Sequence, residues 1–183
     1  MHQPLTPETK IILRRAKPED LEAIISIEKS SFSAPWPAWS LQQELKRPDA
    51  VYLIAQVDEY IAGYAGMWLI LDEGHVGTIA VLSHWRGCGL GEVLMLGMLQ
   101  IADREKLERI FLEYRISNTP AETLYRKLGF ETTRIRKRYY VDNNEDAVEV
   151  VLPDLNTPER RAHLAQLRQI WEVRHERPLP VAP

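Results

Sequence analysis

The run Arg86-Gly87-Cys88-Gly89-Leu90-Gly91 carries the sharpest chemical signal in the chain. Alternating glycines let backbone N–H groups approach a ligand closely. A helix starting directly afterwards adds unpaired donors and the positive end of its dipole, and together these make a cradle for a pyrophosphate. Arg86 puts a charge beside the cradle, and Glu92 follows it. A tight structural turn is the plainer use of the same glycines. Two nucleotide-binding loops do not fit. A Walker loop ends in Gly-Lys-Ser/Thr, where this chain has Gly91-Glu92-Val93. A dinucleotide fingerprint has glycines at its first, third and sixth positions on the first strand–helix unit. Here they fall at the first, third and fifth, in mid-chain.

Further along, Glu113 interrupts an apolar run, Ile110-Phe111-Leu112-Glu113-Tyr114. It suits a base in a partly apolar setting or an ion pair with Arg115. Tyr125 falls in a helical stretch, as a core-edge residue or a proton donor. Asn118, just ahead of that stretch, is placed to cap it or to touch a ligand. Cys88 is the single cysteine, and no histidine lies in its motif to activate the thiol, so a covalent cysteine intermediate is not expected. The five histidines, His2, His75, His84, His163 and His175, show no ligand spacing, so no metal site is expected.

The elements that must hold these groups alternate between strand and helix patterns. Residues 1–10 read as a loose arm and Ile11–Ala16 as a first strand. Pro18-Glu19-Asp20 opens a helix on which Leu21, Ile24, Ile25 and Glu28 share the spacing of one face, the first three directed at the core. Phe32–Pro37, with two prolines beside aromatics, makes a stiff apolar loop, and a short helix follows from Ser40 or from Pro37. Val51–Val57 and Tyr60–Leu71 read as a hairpin across Asp58-Glu59, with His75–Leu82 as the next strand. After the glycine turn come a helix from Val93 to Asp103, a strand over Arg109–Tyr114, and a helix over Thr119–Leu128 closed by Gly129. Phe130–Tyr140 and Ala147–Leu152 form a closing hairpin. Thr157-Pro158-Glu159 then starts an amphipathic helix over residues 157–175, an addition outside the mixed domain whose Leu164, Leu167 and Trp171 face would dock back on that domain or meet a second chain. The class is α/β in the mixed α+β sense, with an arm at 1–10, one domain at 11–153 and a helical, proline-ended tail at 154–183.

The 183 residues fit one such domain, and 45% hydrophobic with 27% charged residues is ordinary usage. A net charge of -3 excludes bulk attraction to nucleic acid. A lone cysteine excludes an internal disulfide, and Met1–Leu5 has neither the basic start nor the apolar core of a signal peptide. No apolar stretch is long enough to span a membrane, so neither membrane nor nucleic acid is an expected partner and the cytoplasm is the expected compartment.

Several of these segments recur together in one family. Arg-x-x-Gly-x-Gly matches the coenzyme A pyrophosphate loop of the GNAT acetyltransferases. Thr78-Ile79-Ala80-Val81 stands before it, and Leu112-Glu113-Tyr114-Arg115 with Ser117-Asn118, Leu124-Tyr125 and Leu128-Gly129-Phe130 follow in the same order. With Ala34-Pro35-Trp36, and with Arg138-Tyr139-Tyr140 before Glu145-Asp146-Ala147, the chain resembles the bacterial ribosomal-protein alanine N-acetyltransferases, the RimI family, over roughly residues 11–152. His84-Trp85 replaces the family's more usual proline and tyrosine or phenylalanine.

The resemblance implies a mostly antiparallel mixed sheet that splays open, flanked by helices, with acetyl-CoA as co-substrate and no metal. The pantetheine arm would pair along Ile79, Ala80 and Val81, the Val81 N–H would meet the oxyanion, and residues Arg86 to Glu92 with Asn118 would hold the cofactor. Glu113 would be the base, acting directly or through water, and Tyr125 the acid that protonates the thiolate. Pro35, Trp36, Tyr139 and Tyr140 would line the acceptor groove, with Glu145 and Asp146 able to meet a basic peptide. Arg134, Arg136, Lys137 and Arg138 read as an exposed basic face. The implied acceptor is the N-terminal alanine of a small-subunit ribosomal protein. A lysine or small-amine acceptor and a non-catalytic acyl-CoA-binding module are the other readings. Chemistry leans the same way: an α-amine has a pKa of about 7.7–8.0 against about 10.4 for lysine, so far more of it is neutral near pH 7.5.

Overall fold

The computed structural model describes residue 6 and residues 8–180. Its elements are β1 (Ile11–Arg15), α1 (Leu21–Ser31), α2 (Ala38–Glu44), β2 (Ala50–Val57), β3 (Tyr60–Ile70), β4 (Glu73–Val81), α3 (Leu90–Arg104), β5 (Arg109–Arg115), α4 (Thr119–Leu128), β6 (Glu131–Tyr140), β7 (Glu145–Leu152) and α5 (Pro158–His175). The strands form one sheet in the order β1-β2-β3-β4-β5-β7-β6. Its neighbours are antiparallel except β4 and β5, which are parallel and joined by the crossover helix α3. The splayed, mostly antiparallel sheet expected from the sequence is therefore present.

Both faces of the sheet are covered, and the side-chain period of two sorts residues between them. On β2, Leu53 and Ala55 join the core under α3, whereas Tyr52 and Ile54 pack with Ile24, Ile27 and Leu41 of α1 and α2. This explains why residues 51–55 are buried without interruption. Leu21 and Ile25 pack only at the rim of that second cluster, and Ile27 takes the central place. The second helix begins at Ala38, directly after Pro37. The third begins at Leu90, earlier than the apolar run suggested, because Gly89 adopts φ +83 and turns the chain into it.

The C-terminal helix docks through the apolar face read from its sequence, with Leu164 packed beside it. Leu167 and Trp171 are buried in the same core as α3 and β5, together with Leu179 beyond the helix end. The tail is thus packed into the domain. Arg177 donates to the carbonyls of Thr6 and Thr9, tying the end of the described chain to its start. The remainder of the expected arm, residues 1–5 and 7, lies outside the described residues, as do residues 181–183. Among the described residues no helix is long and apolar enough to cross a membrane.

One feature of the sheet positions everything else. β4 and β5 pair only from Glu73/Arg109 to Val76/Leu112. Beyond that point β4 stays paired with β3 as far as Val81, and β5 stays paired with β7 as far as Arg115. The two strands part, with a register shift in the β3–β4 ladder at Gly66/Met67 just where they separate.

Candidate active site

The parting of β4 and β5 opens a cleft of about 390 Å³. Thr78 and Ile79 line it from β4, Glu113 and Arg115 from β5, Asn118 and Tyr125 from the start and body of α4, Phe32 and Trp36 from the loop after α1, and Tyr139 and Tyr140 from β6. Glu113, Tyr125, Asn118, Ile79, Trp36, Tyr139 and Tyr140, far apart in sequence, are brought together. Ala80 and Val81 continue the same strand toward the glycine loop, Ala80 buried on the α1 side and Val81 packed on the α3 side. Pro35 is exposed and does not line the cleft; Ala34 and Trp36 on either side of it do. Proline stiffens that loop, but its own ring points elsewhere.

Glu113 lies on the cleft wall with its Oε1 accepting from Arg136 Nη1 at 3.0 Å. The ion pair imagined with Arg115 does not form. Arg115 instead binds Asp142 and Glu145 across the β6–β7 turn and donates to Ser33 Oγ at 3.3 Å, joining the α1 loop to the last hairpin. Its guanidinium also lies 3.9 Å from the Tyr140 ring centroid. Glu145 and Asp146 are consumed internally, Glu145 by Ser117, Asn143 and Arg115, and Asp146 by Lys137 and the Arg138 N–H. The Glu145 carboxyl is held down to about 2, first by Ser117 and then by Asn143 and Arg115. The basic run on β6 is likewise paired, Arg134 with Glu149, Arg136 with Glu113 and Lys137 with Asp146.

Tyr125 is 5% exposed, flanked by Tyr114 and Phe130, and its hydroxyl makes no hydrogen bond among the described residues. Burial pushes its pKa well up, so it holds its proton. Asn118 caps α4, its Oδ1 accepting from the Ala121 N–H at 3.2 Å, and still lines the cleft. Tyr139 and Tyr140 are displaced by an irregularity in β6: Arg136 pairs with Ala147 and Tyr140 with Glu145, so residues 137–139 bulge opposite Asp146, with Arg138 at φ +51. The Tyr139 ring stacks under Arg136 at 4.3 Å and meets Tyr140 edge-on. The Tyr140 hydroxyl is pushed up to about 12 by burial.

Glu28 is a cleft residue to which the sequence reading gave no role in the site. It is 2% exposed, and its carboxylate accepts from the Trp36 N–H at 2.9 Å and from the Tyr64 hydroxyl. Tyr64 in turn lies 3.2 Å from Thr78 Oγ1. A chain of hydrogen bonds thus runs from the α1 loop through Glu28 to the open edge of β4. The available signal was a glutamate on the apolar face of α1, one turn after Ile24 and directly after Ile27. Among the cleft-lining residues, Glu28, Glu113 and Asp142 are opposed by Arg115, leaving a net negative wall suited to an amine.

Beyond the end of β4 lies the glycine loop. Gly87 and Gly89 adopt φ +77 and +83, which only glycine does readily. A Cβ on Gly87 would meet nothing within 4 Å, and one on Gly91 only Leu124 at 3.7 Å. Among the described residues, no backbone carbonyl accepts from the N–H of Gly87, Gly89, Leu90, Gly91 or Glu92; the first such bond is from Val93 to Gly89, at 3.0 Å. Open space and unpaired donors at a helix start fit a diphosphate. Arg86 is exposed beside them, its Nε donating to the Val81 carbonyl at 3.0 Å. The Cys88 thiol points at the Arg86 carbonyl, 3.7 Å away. The Glu92 side chain is not part of the cradle: it is buried between Lys127 of α4 and Arg174 of α5. Trp85 packs with Val57, Ala62 and Leu90 behind the loop.

Comparison with known proteins agrees with this geometry. The model of the acetyltransferase (GNAT) family matches residues 21–130. A Bacillus subtilis protein named as a candidate ribosomal protein bS18-alanine N-acetyltransferase is 39% identical over 142 residues, 77% of this chain and 94% of its own. The crystal structure of the ribosomal-protein-S18-alanine N-acetyltransferase from Escherichia coli superposes with a TM-score of 0.75 at 27% identity, covering 79% of this chain and 94% of that one. Arabidopsis thaliana NAA60 in complex with acetyl-CoA shares the fold, with a TM-score of 0.73 at 17% identity over 79% of this chain and 98% of that one.

Proposed function

Because this chain belongs to the acetyltransferase (GNAT) family, we propose that it transfers the acetyl group of acetyl-CoA to the N-terminal α-amine of a protein, the acceptor being a ribosomal protein that begins with alanine. The observation that carries the reading is the convergence of Glu113, Tyr125 and the Tyr139–Tyr140 pair on the gap between β4 and β5. The names of the relatives supply the acceptor.

Loop residues 86–91 hold the diphosphate through their N–H groups. The inner edge of Ile79, Ala80 and Val81 pairs with the pantetheine arm, Val81 offering its N–H to the oxyanion as it forms. Asn118 contacts the co-substrate from the start of α4. Glu113, kept in place by Arg136, accepts the proton that the attacking amine loses. Tyr125, still protonated and facing the cleft, donates to the departing sulfur. Trp36, Tyr139 and Tyr140 enclose the first residues of the acceptor, and the negative wall attracts its amine. Holding both substrates in one cleft permits direct transfer and gains from proximity. Residues 11–153 carry the cleft and the glycine loop, the C-terminal helix completes their core, and a ribosomal acceptor places the reaction in the cytoplasm.

The test is incubation with acetyl-CoA and two peptides, one with a free N-terminal alanine and an internal lysine, the other identical but N-blocked. Mass spectrometry locates the acetyl group. The reading requires acetylation of the free N-terminus and none of the blocked peptide. Modification of the lysine in both would refute it.

A further inference from the structure

We propose that Trp171 and His175, near the end of α5, are positioning residues for the diphosphate loop, making the C-terminal helix part of the acetyl-CoA site. This rests on the assignment of residues 86–91 to the diphosphate. A Cβ built on Gly89 would lie 2.9 Å from His175 Nε2 and 3.2 Å from Trp171 Nε1. The bare Cα of Gly89, at φ +83, is thus packed directly against the two rings.

Those rings are themselves fixed. Trp171 is fully buried, and His175 stacks on it at 4.2 Å between centroids and 20° between planes. His175 Nδ1 lies 2.8 Å from the Trp171 carbonyl, which can only accept, so Nδ1 carries the proton and Nε2 is the atom turned to Gly89. The Trp171 indole N–H has no hydrogen-bond partner among the described residues, so shape alone sets its place against the glycine.

Two more contacts of α5 reach the same machinery. Arg174 lies 3.6 Å from the buried Glu92 carboxylate in the first turn of α3, and Lys127 of α4 reaches the other oxygen of that group. Arg160, at the start of α5, packs on Gly129, the left-handed cap of the helix that carries Tyr125. One helix therefore abuts the loop that holds the diphosphate, the helix start behind it and the end of α4. A loop built from glycines has no side chains to hold its own shape, and precise N–H placement must come from what packs on it.

The experiment uses the full chain, varying acetyl-CoA and acceptor peptide separately in initial-rate measurements on Trp171→Ala, His175→Ala and Trp171→Phe. Misplaced donors weaken co-substrate binding, so KM for acetyl-CoA should rise about tenfold in Trp171→Ala and about threefold in His175→Ala. The kcat at saturation and the KM for peptide should stay within about twofold, and Trp171→Phe, which restores the stacked ring, should recover most of the loss. A folded His175→Ala with unchanged KM for acetyl-CoA overturns the proposal, as does an equal loss toward both substrates. If Trp171→Ala does not fold, the His175 and Trp171→Phe variants decide it. Wild-type protein that fails to bind acetyl-CoA would instead overturn the loop assignment beneath it.

Discussion

Removing the Glu28 carboxylate should both destabilise the protein and loosen the acceptor side of the cleft. In Glu28→Ala the Trp36 N–H is left unpaired in a half-buried loop, and Tyr64 loses a charge-assisted bond while keeping Thr78 Oγ1 at 3.2 Å. An orphaned donor costs about 1–3 kcal/mol, and the lost bond to a charged group, partly made good by Thr78, adds about 1–2, for a sum of about 2–5 kcal/mol. For a chain of 183 residues each kcal/mol lowers the melting midpoint by about 2–4 °C, giving a fall of about 4–20 °C. Because burial, the largest cause, pushes the Tyr64 hydroxyl well above its ordinary range, it stays protonated in the variant and is left with Thr78 Oγ1 alone as its partner. Glu28→Gln keeps an oxygen for the Trp36 N–H and should lose only about 1–2 kcal/mol. Thermal unfolding by circular dichroism reads the stability, and the KM for acceptor peptide reads the loop, since Trp36 lines the cleft. A Glu28→Ala midpoint within about 2 °C of wild type would refute the reasoning, because the hydrogen bonds would then contribute nothing beyond what water replaces.

Glu113→Gln and Tyr125→Phe should each lower turnover by about 10²–10⁴ while calorimetry finds acetyl-CoA affinity unchanged; unchanged turnover in both removes their assigned roles. Gly87→Val, which forces a β-branched residue to φ +77, should weaken acetyl-CoA binding with little effect on peptide binding, read by titrating each ligand separately. The Glu145 carboxyl, lowered from 4.5 to about 2 in the folded protein, adds stability that is complete above about pH 4.5 and is lost as pH falls through about 2. Melting midpoints between pH 5 and pH 2.5 should therefore fall less steeply in Glu145→Gln than in wild type.

Much of the scaffold is legible in the sequence because its boundaries are chemical. Thr157-Pro158 caps a helix as read, and Gly129 ends one at φ +93. The Asp58-Glu59 turn joins two strands, with Asp58 itself at φ +51. What stayed hidden depends on partners distant in the chain. The tail helix buries Leu167 and Trp171, as its apolar face suggested, but the surface receiving them includes a glycine that looks committed to a ligand. Glu92 reads as part of that loop, and only the arrival of Lys127 and Arg174 makes it a fastener between helices. The β6 bulge has no glycine or asparagine to announce it; Arg138 takes the left-handed conformation, held where Asp146 accepts its N–H. The aromatic–proline segment does break the chain between two helices, yet nothing in its sequence says that Trp36 lines the cleft and Pro35 does not.

The parting of β4 and β5 requires no strained hinge, because each strand keeps a complete partner on its outer side. β4 is held by β3 as far as Val81, and β5 by β7 as far as Arg115. Only the inner edges go unpaired, and an unpaired edge is a row of donors and acceptors that must find water or a ligand. A ligand able to pair like a strand therefore gains there without displacing any protein–protein bond. The glycine loop lies at the end of that same edge, since β4 runs out at Val81 and the chain reaches Gly87 a few residues later. An extended molecule with a diphosphate at one end and a reactive group at the other is the shape such an arrangement selects. Tyr125 and Glu113 line the cleft into which that edge opens.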